Sequence, residues 1–102
     1  MPKVSVSVPH NRDPREIIAQ ARPVIEKVVQ DFEGHHLDAN WGDTSADFQF
    51  KSLAFTIKGS LRADDQQLAV DVDLPFAALI FKDKVERAIR KNLTRALGAP
   101  PA

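Results

Sequence analysis

Val4, Val6 and Val8 alternate with Lys3, Ser5 and Ser7 before Pro9, the period-two signature of a strand with one buried and one wet face. Asp13-Pro14-Arg15-Glu16 then reads as a helix start, with Asp at the N-cap, Pro at the first helical position and Glu placed to close a capping box. Ile17, Ala21, Val24, Ile25, Val28, Val29 and Phe32 recur at steps of three and four and predict an amphipathic helix ending near Gly34. Pro23 removes a backbone donor inside it, so a kink or two abutting segments is expected near Ala19 to Arg22. Alternation returns over His36 to Trp41 and Thr44 to Lys51, joined by a Gly42-Asp43 turn. Two further strands follow: Phe55, Ile57, Gly59 and Leu61 lie on one face of the first, and Leu68, Val70, Val72 and Leu74 on one face of the second. Asp64-Asp65 forms the turn between them. A last helix runs from about Lys82 to Leu97, with Val85, Ala88, Ile89, Leu93, Ala96 and Leu97 as its stripe and Gly98 as its stop.

The order β-α-β-β-β-β-α predicts an α+β fold of two layers, a four- to five-stranded antiparallel sheet with two helices packed on one face. The second face of every strand is polar, so the sheet is open to water on that side. Residues 1–98 read as a single domain and the Pro-rich residues 99–102 as a disordered tail.

Composition narrows the function classes. Fourteen Lys plus Arg balance fourteen Asp plus Glu in 102 residues, which argues against generic nucleic-acid binding. With no Cys, thiolate metal sites, disulfides and Cys nucleophiles are excluded by count. The N-terminus lacks the apolar stretch of a signal peptide and the longest apolar run is too short for a transmembrane segment, so the expected location is cytoplasmic. His10, His35 and His36 are the only conceivable metal ligands. They match no zinc spacing, adjacent histidines in a strand face opposite ways, and they read as exposed loop side chains. Asp64-Asp65 is turn chemistry, and Asp71 and Asp73 share a wet strand face. With no phosphate loop or nucleophile elbow, no catalytic residue, metal or cofactor is assigned and an enzyme is the least favoured reading.

Two features stand out. Leu74 to Phe81 carries no charge, although it must hand a strand over to a helix. The burial habits of Phe, Leu and Ile favour a run that closes the end of the core, with Phe76 and Phe81 under the helices. The functional alternative is an apolar lip or pocket wall of Phe76, Leu79, Ile80 and Phe81, with Trp41 as a candidate member. The second feature is charge segregation: from Phe76 onward six cations face two carboxylates, a net of +4, and the rest of the chain carries −4. Arg87, Arg90, Lys91 and Arg95 form a candidate basic helix face for an anionic surface, a partner protein or the acidic sheet of a second copy, which would make a homodimer.

The opening Pro2 to His10, the stretches Phe48-Gln49-Phe50-Lys51 and Phe55-Thr56-Ile57-Lys58-Gly59, and above all Asp73 to Arg90 resemble the small bacterial polyhydroxyalkanoic acid system family, over nearly the whole chain. The resemblance implies association with storage-polyester granules and a distant kinship with phasins, but no catalytic residues. Phasins are largely helical and this chain predicts about five strands, so their mechanism is not carried across. The expectation is a non-enzymatic accessory protein of the polyhydroxyalkanoate storage system that meets the granule surface or a granule protein. The alternative is a small module holding an acyl or lipid-like group between the sheet and the C-terminal helix. It requires a cavity of at least about 300 Å³ there.

Overall fold

The computed structural model describes residues 3–52 and 55–98, so the Pro-rich tail lies outside the described residues. Strands β1 (Lys3–Pro9), β2 (Gly34–Trp41), β3 (Ser45–Ser52), β4 (Phe55–Ala63) and β5 (Gln67–Asp73) form one antiparallel sheet in the order β1-β5-β4-β3-β2. Helix α1 (Pro14–Asp31) carries the chain from one edge strand to the other. Helix α2 (Lys82–Leu97) packs beside it, after a 3-10 segment η1 (Phe76–Phe81).

The alternation read along the strands is the alternation seen. Val4, Val6 and Val8 of β1 and Leu68, Val70 and Val72 of β5 are buried in one core with Ile17, Ile25, Val29, Ile89 and Leu93 of the helices. Both helices cover this single face. The other face carries lateral polar rows: Asp73 lies in register between Lys3 and Lys58, and Ser5 Oγ donates to Asp71 Oδ1 at 2.6 Å. The segregated strand charges are thus cross-strand neighbours in water, where such pairs contribute little. One inward position has no side chain. A Cβ at Gly59 would overlap the Phe48 ring, so the glycine is what lets that ring lie across β4.

The helix ends follow local chemistry with some departures. Asp13 Oδ1 accepts from the Arg15 N–H at 2.9 Å, as the cap predicts. Glu16 does not close the capping box; its carboxylate accepts instead from the Arg12 guanidinium and the Gln20 amide. Helix α1 is one uninterrupted element of 18 residues through Pro23, rather than two abutting segments. The carbonyl left without its usual donor belongs to Ala19, which is exposed, so water can take it. Gly34 does not terminate α1. Glu33 takes the left-handed turn at φ 56° and Gly34 opens β2, where a Cβ would meet Val29 and Phe50 below 3 Å. Ser52 Oγ donates to the Phe32 carbonyl at 2.5 Å, satisfying an end-of-helix acceptor from the sheet. At the far end Gly98 (φ 63°) caps α2, and the Arg12 guanidinium donates to the Leu97 carbonyl.

Candidate functional site

Segment Leu74 to Phe81 divides by geometry. Leu74 and Ala78 point inward and are buried, and the Ala78 N–H donates to the Pro75 carbonyl at 2.9 Å to close the tight turn. Phe76 is 75% and Ile80 84% exposed, and Leu79 and Phe81 are also exposed. This corrects the expectation that Phe76 and Phe81 lie under the helices. The two helices already fill the sheet face, and a 3-10 helix, with about three residues per turn, can send only every third or fourth side chain inward. Trp41 does not join this lip. It sits at the other end of β2 from Gly34, packed against the core with the Arg22 guanidinium 5.6 Å from its ring centroid.

Behind the lip lies an open cleft of about 340 Å³, floored by Phe55, Ile57, Leu74, Phe81 and Val85, with Lys84 at its rim. Deeper, between the helices and the sheet, the free space is only about 20 Å³ and wholly apolar in lining. That deep space falls far short of the ~300 Å³ a ligand chamber needs, so the sandwich interior is packed. The open cleft, which Val85 and Lys84 of α2 share with Phe55 and Ile57 of β4, is a space of that size at the edge between α2 and the sheet. On the opposite face of the sheet a wet basin of about 420 Å³ is lined by Lys3, Asp38, Asn40, Gln49, Asp71 and Asp73.

Helix α2 redistributes the predicted basic face. Arg87, Lys91 and Arg95 share a groove of about 330 Å³ between α1 and α2, together with Lys84 and Lys27. Arg90 lies off that groove, 3.4 Å from Glu86. Lys84 is not in the predicted set, although its spacing to Arg87, Lys91 and Arg95, in steps of three, four and four, marks one helical face. Its ammonium lies 5.8 Å from the Phe32 ring centroid.

The histidines depart from the strand expectation. A bulge between His35 and Asp38, with His36 at φ 56°, brings the rings of His35 and His36 to 4.8 Å instead of sending them to opposite faces. His10 is half-buried rather than exposed: its Nδ1 accepts from the Arg12 N–H at 3.0 Å, and its buried Nε2 has no protein partner. Among the described residues no three or more His, Asp or Glu side chains are grouped so as to hold a metal ion, and no helix is long and apolar enough to cross a membrane.

Asp13 and Asp64 are the carboxylates with displaced titration. The Arg15 side chain and backbone N–H hold the Asp13 carboxyl below its usual range, and the backbone N–H groups of Gln66 and Gln67 do the same for Asp64. Both are turn or cap devices and neither borders the lip.

Among solved structures, the chain is similar to the Thermus thermophilus protein TTHA0849, at 10% identity over 94% of each chain with a TM-score of 0.38. No curated protein matches it. The family described as "Putative polyhydroxyalkanoic acid system protein" matches residues 4–97, a span that takes in all five strands, the lip and both helices. The chain therefore belongs to the polyhydroxyalkanoic acid system family.

Proposed function

We propose that the protein is a non-enzymatic accessory component of the polyhydroxyalkanoate storage system, working in the cytoplasm at the granule surface or on a granule protein. The observation that carries this reading is the exposure of Phe76, Leu79, Ile80 and Phe81 together on one short turn. Single exposed apolar residues are ordinary, but four adjoining large ones facing water mark a contact surface. Membership in a granule-region family supports the granule as the apolar partner. The packed interior, with about 20 Å³ of free space between helices and sheet, supports contact at the outer surface over a ligand held inside.

The test is centrifugal co-fractionation with storage granules from polyester-accumulating cells, comparing wild type with Phe76→Ser/Ile80→Ser. Both positions are solvent-facing, so the variant keeps its fold, which circular dichroism checks. Wild type is expected to travel with the granules and the variant to stay in the supernatant. A wild type that remains wholly in the supernatant overturns the reading.

A further inference from the structure

Building on that reading of η1 as a docking lip, we infer that the surface it meets is an anionic lipid layer, with the η1 side chains set among acyl chains and the cationic row of α2 against the headgroups. Lys84, Arg87, Lys91 and Arg95 line the groove between the helices. The carboxylate that also lines it, Asp31, is occupied by Lys27 at 2.9 Å. Among the described residues none of the four cations makes an ion pair. Like charges at helical steps of three and four repel one another, and a multiply anionic surface relieves that repulsion from outside the protein.

The lip adjoins the cations through Phe81, which lines the cleft beside Lys84. Phe32 and Lys84 line both the groove and the cleft behind η1, and α2 begins at the residue after Phe81. A lipid layer suits this arrangement better than a protein partner. A stable protein interface buries about 1,200–2,000 Å² around an apolar centre. Here the gathered apolar side chains number four on a six-residue turn and give way at once to solvated cations. A wedge of that size is a weak interface centre, yet it is one of the two signals that peripheral lipid binding needs, the other being adjacent basic residues. Cations spread along a helix also match laterally mobile headgroups more readily than a single fixed anion.

Sedimentation of the full chain with vesicles tests this, using phosphatidylcholine alone and phosphatidylcholine mixed with phosphatidylglycerol. Wild type is expected to pellet with the mixed vesicles, to remain in the supernatant with neutral ones, and to be released by added salt. Arg87→Glu/Lys91→Glu, both exposed, is expected to weaken binding about tenfold or more. Phe76→Ser/Ile80→Ser is expected to lose it as well. Failure to pellet with mixed vesicles, or equal pelleting of wild type and the charge variant, overturns the inference. Granule binding without vesicle binding removes this inference and leaves the granule reading standing, with a granule protein as the partner. Vesicle binding without granule binding does the reverse.

Discussion

The interior of the sandwich and the η1 turn are made of the same residue types, yet they meet opposite fates. Between the helices and the sheet, Ile17, Ile25, Leu68, Ile89 and Leu93 are buried with almost no free space among them. At η1, Phe76 and Ile80 stand in water although Leu74 and Ala78, close by in the chain, are inside. Apolar character therefore does not by itself decide burial; room does. Once α1 and α2 cover five strands, the end of the sandwich accepts Leu74 and Ala78 and leaves the larger side chains of η1 out. Keeping Phe76 and Ile80 in water there forgoes burial worth roughly 1.5–3 kcal/mol each, with a smaller share for the partly covered Leu79 and Phe81, which is the physical ground for reading the turn as a contact surface.

The contrast is sharpest in stability. Leu93→Ala removes a fully buried side chain and is expected to cost about 2–5 kcal/mol in urea unfolding, whereas Ile80→Ser is expected to stay within about 0.5 kcal/mol of wild type. A large loss from Ile80→Ser would break the comparison by showing that the lip supports the core. Gly59→Val probes how closely the interior is packed. Because the new side chain would run into the Phe48 ring, it is expected to destabilise by about 1–3 kcal/mol and to shift the aromatic and methyl signals of the core in NMR spectra. The smallest effect concerns turns outside both regions. Asp13 and Asp64 have folded-state values below their ordinary ones, so their contribution is present above the ordinary carboxylate range and disappears as pH falls through the lowered values. Asp13→Asn and Asp64→Asn are each expected to flatten the acid side of the stability profile slightly, leaving neutral-pH granule or vesicle binding unchanged.

Much of the frame was legible because periodicity reports burial directly. The valines of β1, the Ile17 to Val29 stripe and the alternation of β3 to β5 each name the face that the structure buries. The misreadings occur where one residue answers to a distant one. Gly34 looks like a helix stop, but its missing side chain makes room for Val29 and Phe50. Pro23 looks like a break, but it falls on the solvent side of α1. Arg90 reads with Arg87, Lys91 and Arg95 as one basic cluster, but its rotation around α2 takes it to Glu86, and Lys84 occupies the place beside the lip.

The sequence alone determined the element order, the face of each element that turns inward, the Asp13 and Gly98 caps and the electrical polarity of the chain, since all of these depend on neighbours within a few positions. Tertiary structure decided which of the uncharged residues between β5 and α2 are inside, where Trp41 sits relative to them, how the histidine rings lie across the β2 bulge, and which cations line a common groove. Those outcomes depend on the volume left after the helices dock on the sheet and on the rotation of α2 about its axis, quantities that no local pattern contains.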